Sequence, residues 1–242
     1  MTGTLLNIAT VLIGGLVGLR FGANLPERIR LTIIAGLGLF TAAIGIQMFL
    51  KTENPIIVLS SLLVGGILGE WWRIEDRLKG LGATLERRFT GKGSTVERVD
   101  ALQGSLFIRG FLTASLVFCV GPMTILGSIQ DGLTGDYSLL AIKAVLDGFA
   151  AMAFAASLGV GVLFSILVIL VYQGGLTLLA AQAQMLITPA MMSEMTAVGG
   201  ILLIGIAISN LLELKPIRVA NFLPALLIAP LVVGILAALR IG

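Results

Sequence analysis

Two ionisable residues, Lys143 and Asp147, stand four positions apart in an otherwise apolar stretch. In a helix that spacing puts both side chains on one face, about one turn apart. An ionisable group inside a membrane span is costly, faces the bundle interior and marks an ion or proton pathway by default. Two readings follow. Asp147 can bind a cation or carry a proton when Lys143 swings away, or the two charges neutralise each other so that the helix inserts, a structural pair kept because breaking it would strand a buried charge.

The run Gly121-Pro122-Met123-Thr124-Ile125-Leu126-Gly127-Ser128-Ile129-Gln130-Asp131-Gly132 is the second candidate. Proline lacks an amide donor and disfavours helical geometry at the residue before it, so a helix arriving from Arg109 is expected to break there. Proline also suits the first position of a new helix. A half-helix starting at Pro122 would turn free amides and a positive dipole end toward a ligand. Non-helical backbone at membrane depth is tolerated only where protein or a water-filled cavity satisfies it. The expected site therefore draws on Gly121, Pro122, Met123, Thr124, Gly127, Ser128, Gln130 and Asp131, together with Lys143 and Asp147. The alternative is a Pro-kinked helix ending in a Gly/Asp-rich external loop. Asn7 joins the candidates because its amide offers donor and acceptor within a span of small and apolar residues, though an interhelical hydrogen bond explains it equally simply. Gln173, Ser115 and Asn210 read as interhelical contacts.

The elements that must position these residues are membrane spans. The chain is 57% hydrophobic and 12% charged, with a mean hydropathy of +1.05, whereas soluble domains carry about 25% charged residues. A span needs roughly 20 mostly apolar residues. Eight segments qualify, near 4–20, 31–50, 55–72, 104–121, 138–158, 160–184, 191–212 and 219–240. The expected fold is all-α, a polytopic bundle of about eight transmembrane helices forming one domain over residues 1–242. The first segment has neither a basic leader nor a small-residue cleavage site and reads as a retained helix.

Several chemistries are excluded or disfavoured. With no histidine and Cys119 as the only cysteine, the usual ligands for zinc, copper or haem iron and any intrachain disulfide are missing, and no cofactor or metal is expected. No phosphate loop, nucleophile elbow or His-Glu-x-x-His pattern occurs, and Asp147 reads as the only clearly intramembrane carboxylate, with Glu70, Asp131 and Glu213 near span ends. An enzymatic role is not expected. The net charge of +3 sits beside spans, where it serves topogenesis and anionic lipid rather than nucleic acid.

Arg73, Arg77, Lys79, Arg87, Arg88, Lys92 and Arg98 crowd into one loop, about 72–103, after the third span. If that loop is cytoplasmic, alternation of eight spans also places Arg20, Arg28, Arg30, Arg109, Lys215 and Arg218 on the inner side, leaving Lys51 and Arg240 outside, as the positive-inside rule requires. Both termini then face away from the cytoplasm. Ile74, Leu78, Leu81 and Leu85 recur at helical intervals, the pattern of an amphipathic helix on the inner leaflet; a solvated linker carrying topogenic charge is the equal alternative. Internally, Val58–Val64 and Val162–Val168 share five of seven positions. Repeats over 1–72 and 104–184, with extra helices over 190–241, would be inverted because three spans is an odd number, an arrangement common in secondary transporters.

The order of motifs extends the reading. Gly3-Thr4-Leu5-Leu6-Asn7, Gly14-Gly15, Leu68-Gly69-Glu70, the Gly121–Gly132 run and Lys143 through Gly148 together resemble the YdfK/YqgA family of bacterial inner-membrane proteins, catalogued as domain of unknown function 554. The resemblance covers essentially the whole chain and implies a polytopic inner-membrane protein without an assigned substrate. The expected function is a transporter or channel for a small solute or ion, with a midplane site between the broken helix and the Lys143/Asp147 pair. The rival is a non-transporting scaffold or assembly factor that docks through the basic loop. A homodimer is compatible with so small a bundle.

Overall fold

The computed structural model describes residues 1–23, 26–90 and 106–239. Lys92, Arg98 and Arg240 fall outside the described residues. Helices occupy nearly all of these segments, and no strand occurs among them. In chain order they are α1 (Thr2–Gly22), α2 (Glu27–Phe49), α3 (Pro55–Trp72), α4 (Ile74–Thr90), α5 (Leu106–Cys119), α6 (Pro122–Thr134), α7 (Ser138–Leu158), α8 (Ser165–Leu178), α9 (Ala180–Leu186), α10 (Pro189–Ile206) and α11 (Ala225–Ala238). A 3₁₀ turn, Val160–Phe164, precedes α8, a π turn, Ala207–Leu211, ends α10, and a second 3₁₀ turn, Val219–Phe222, leads into α11.

Seven helical stretches are long and apolar enough to cross a membrane, and the bent pair α5–α6, taken as one, has the length and composition of an eighth. Their outward faces are greasy: Phe40 is 66%, Ile67 69% and Phe149 67% exposed. Water would not tolerate such a surface on so large a scale, whereas hydrocarbon does. The all-α polytopic bundle expected from composition is the fold found.

Local chemistry explains the boundaries. Asn54 caps α3 by accepting from the Ile56 amide at 3.1 Å, with Pro55 at the first helical position. Arg73 then adopts a left-handed conformation, φ 50° and ψ 48°, which turns the chain into α4. The amphipathic helix predicted there forms, but its bundle-facing side is Ile74, Leu78 and Gly82, while Leu81 is turned outward.

The tightest helix pair is α1 with α7. A Cβ added at Gly14 would lie 2.0 Å from the Gly148 carbonyl, one at Gly18 2.1 Å from that of Met152, and one at Gly22 2.4 Å from that of Ala156. The partners advance together along both chains, so α1 and α7 run parallel, as alternation requires of a first and a fifth span. Glycines at four-residue spacing let the two backbones touch.

Polar clamps fasten the two ends of the bundle. At the end carrying α4, Glu70 pairs with Arg218 (2.5 Å) and accepts from Asn221 (2.6 Å), while Glu75 accepts from the Ala220 amide (2.9 Å). Arg109 meets Glu213 at 2.5 Å on the same end. At the opposite end Glu194 of α10, only 2% exposed, accepts from Thr52 Oγ1 (2.7 Å) and the amides of Glu53 (2.8 Å) and Asn54 (3.0 Å). Glu194 is therefore one of four buried carboxylates among the described residues, with Glu75, Asp131 and Asp147, and its job is to close the α2–α3 turn.

Candidate functional site

The predicted break is present. α5 and α6 are bent by 61°, and Gly121 joins them at φ 158° and ψ 150°, a region essentially reserved for glycine. Nothing lies within 4 Å of where a Cβ would stand, so the conformation, not crowding, calls for glycine. Thr124 repairs part of the damage. Its hydroxyl donates to the Phe118 carbonyl at 3.3 Å, one of the acceptors that an interrupted helix leaves without an amide.

Lys143 and Asp147 form the expected ion pair through Asp147 Oδ2, and their residues are 6% and 9% exposed. Asn7 of α1 donates from Nδ2 to the same carboxylate oxygen at 3.0 Å and to Gln173 Oε1 of α8 at 2.9 Å. Gln173 in turn donates to Thr4 Oγ1 at 3.3 Å, and Thr4 faces Thr177 Oγ1 at 3.4 Å. Beyond Thr4, the Gly3 amide donates to Asp131 Oδ2 of α6 at 3.1 Å, with the Met1 amino nitrogen 2.9 Å from that oxygen. A buried polar track thus runs from Asp131 to Lys143 between α1, α6, α7 and α8. Inside hydrocarbon, each such group is stabilised by its partner because no water is available to replace it. Two atoms near this track stay unpartnered, Asn7 Oδ1 and Ser128 Oγ.

Asp131, Lys143, Asp147 and Asn7 are brought together as members of this track, although the sequence places them on three different spans. Gln130 is not part of it: its amide donates to Asp136 at 2.7 Å on the exposed α6–α7 turn. Gly127 serves packing, because a Cβ there would meet the Leu140 side chain at 2.8 Å. Met123 is half-buried with no hydrogen bond, and Pro122 contributes the first residue of α6. Thr4, Gln173 and Thr177 complete the track. Their signal in the sequence is spacing, since Thr4/Asn7 on α1 and Gln173/Thr177 on α8 each recur within one turn and so present paired polar groups to a neighbour.

Space is distributed differently from expectation. A water-filled cavity was expected between Pro122 and Asp147. The large cavity among the described residues, 360 Å³, instead lies on the other side of α5, walled by Phe111, Leu116, Cys119 and Val120 with Tyr172, Met195 and Leu226. It is overwhelmingly apolar. A second hollow of 10 Å³, room for about one water, sits directly at the break against Val120, Gly121 and Ile125. Cys119 lies within electrostatic reach of both Lys143 and Asp147, so the C-terminal turn of α5 stands between the cavity and the ion pair. Lys143 and Asn7 both engage Asp147 through Oδ2, which packs protein groups rather than open space against the carboxylate.

On the turn outside the spans, Asp136 accepts from Ser138 Oγ (2.6 Å) and from the Ser138 amide (2.9 Å). These bonds favour the ionised carboxylate and lower its pKa below the ordinary aspartate value.

Comparison with known proteins agrees with this architecture. The chain is 35% identical over 228 residues, 94% of each chain, to the "Uncharacterized protein YqgA" of Escherichia coli (strain K12). It is 29% identical over 242 residues, 98% of each chain, to the "Uncharacterized membrane protein YdfK" of Bacillus subtilis (strain 168). No solved structure matches. Residues 2–234 match the family described as "Protein of unknown function (DUF554)", and with relatives aligned from end to end the chain belongs to that family of membrane proteins.

Proposed function

We propose that the protein is a transporter or channel for a small solute or ion, with Asp147 as the coupling carboxylate and Lys143 as its internal competitor. The observation that supports this best is the buried polar track from Asp131 to Lys143, set beside a broken span. Packing needs no such track, and intramembrane ionisable groups are costly. In this reading Lys143 occupies Asp147 in the closed state. A proton or cation arriving from the Asp131 end displaces Lys143 Nζ, and the bend at Gly121 lets the last turn of α5 withdraw toward the apolar cavity.

The same reading places the protein in the bacterial inner membrane with the α4 end cytoplasmic and both termini outside, following the charge bias. It treats spans one to three and four to six as inverted repeats, and allows a homodimer.

The test is flux in proteoliposomes, followed with a trapped pH dye and a panel of monovalent and divalent cations under an imposed potential. Wild-type protein should pass protons or one of the cations, and Asp147→Asn should insert normally yet pass none. Equal flux in both would remove Asp147 from the mechanism. The competing scaffold reading draws on the exposed cations of α4, Arg77, Arg87 and Arg88, and predicts that replacing α4 abolishes function in cells while flux is preserved.

A further inference from the structure

We propose that the 360 Å³ cavity beside α5 is a lipid site that takes one acyl chain of an anionic phospholipid from the leaflet on the α4 side, with the headgroup held at Arg73 and Arg77. This goes beyond the transport reading and does not depend on it.

The first argument is chemical. The wall of the cavity is almost wholly hydrocarbon, its polar exceptions being Ser115 Oγ and the edges of Cys119, Tyr172 and Trp72. No charged or amide side chain lines it, so a polar solute would lose its hydration there and gain nothing. Water is no better served, since apolar cavities stay dry. An empty apolar void is destabilising in proportion to its volume. A hydrocarbon occupant removes that penalty, and the volume lies within the range of about 300–1,000 Å³ usual for ligand sites.

The second argument is access and shape. Trp72 and Leu227 line the cavity and are 49% and 68% exposed, while Phe111 and Leu116 deep in the wall are 0% and 6% exposed. The mouth therefore opens toward lipid, between the α3–α4 junction and α11. Along α5 the wall runs from Phe111 to Val120, about 13 Å at 1.5 Å per residue. That is a slot suited to a chain rather than to a compact solute.

The third argument is charge at the mouth. Trp72, Ile74 and Leu78 line the cavity, and their sequence neighbours Arg73, in the left-handed turn between α3 and α4, and Arg77, in the first turn of α4, are both exposed. Neither arginine has an acidic partner among the described residues. Two guanidinium groups at the α3–α4 junction, each adjacent in sequence to residues that line the cavity, provide fork-shaped donors for a headgroup phosphate and an electrostatic preference for anionic lipid.

The experiment uses the full chain in nanodiscs of phosphatidylcholine doped with phosphatidylglycerol that carries a photoactivatable diazirine on one acyl chain, compared with phosphatidylcholine bearing the same chain. Adducts are mapped by peptide mass spectrometry. The expected result is labelling of the Phe111–Val120 peptide several-fold stronger with the glycerol lipid. Ser115→Phe, which fills the slot, should abolish that labelling while outward-facing Leu63 and Leu231 remain labelled. Arg73→Gln with Arg77→Gln, an exposed pair whose loss leaves the core intact, should reduce the glycerol lipid to the level of the choline lipid. Adducts confined to outward-facing positions would overturn the site, and equal labelling by both lipids in wild-type protein would overturn the assignment of its headgroup.

Discussion

Asn7 and Asp147, separated by 140 residues in sequence, meet at 3.0 Å, and the same Asn7 amide nitrogen reaches Gln173 at 2.9 Å. One side chain therefore ties α1 to both α7 and α8. Asn7→Leu removes both bonds at once, stranding Gln173 Oε1 and leaving Asp147 Oδ2 to Lys143 alone, so it should cost about 1 to 3 kcal/mol. Thermal unfolding in detergent measures this. An unchanged melting temperature would show that the acceptors find other partners.

Lys143 and Asp147 invite a double-mutant cycle. Lys143→Met leaves an uncompensated buried carboxylate and should destabilise by about 3 to 5 kcal/mol, while replacing both residues by apolar ones of similar volume should recover most of that loss. The recovered double variant then separates the two readings of the pair. If it folds and still transports, the pair only neutralises itself for insertion; if it folds and is inert, the charges carry the cycle.

Gly121→Ala tests the joint between α5 and α6. Because nothing crowds the position, the penalty is conformational, about 1 to 3 kcal/mol for an L-residue in that backbone region. Flux should fall more than stability. Equal losses in both, read from transport rate and melting temperature on the same preparation, would mean the joint is a static feature.

Gly18→Leu should be far more damaging, since its Cβ would sit 2.1 Å from the Met152 carbonyl and no side-chain rotation relieves a clash with backbone. We expect loss of monodisperse protein on size exclusion. Gly36→Leu, where nothing lies within 4 Å, should be tolerated and serves as the control.

The α6–α7 turn carries a pH signature. The folded pKa of Asp136 is lowered, chiefly by the Ser138 hydroxyl and then by the Ser138 amide. A depressed carboxylate contributes stability that is present above its unfolded pKa, about 3.9, and is lost as pH falls through the folded value. Ser138→Ala should move the Asp136 titration back up toward the ordinary value in a carboxyl carbon NMR titration, with no change near neutral pH. A titration that does not move would assign the shift to something other than the Ser138 hydroxyl.

The parts legible in the sequence were those governed by local rules. Pro122 and Gly121 announce the break because their backbone restrictions do not depend on neighbours, and the four-residue spacing of Lys143 and Asp147 fixes their shared face. Long-range partners were not legible. Asn7 reads as an isolated amide until α8 brings Gln173 beside it, and Glu194, five residues into α10, carries no sequence signal of its own and draws attention only when the α2–α3 turn closes over it. The cavity escaped for the same reason, being the gap left where α4, α5, α8, α10 and α11 fail to meet, a property of side-chain volumes that no single segment encodes.

The bend at Gly121 divides one crossing between two sets of attachments. Its second half, α6, is bolted through Asp131 to the start of α1 and lies against α8, where a Cβ at Gly132 would come within 2.2 Å of the Thr177 carbonyl. Its first half, α5, is bolted through Arg109 to Glu213 and through Thr113 to Asn210 at 3.2 Å. Both halves rest on α7 and α8, but their polar attachments differ. Any relative movement of those attachments falls first on Gly121, the one joint in the span whose backbone no neighbour crowds.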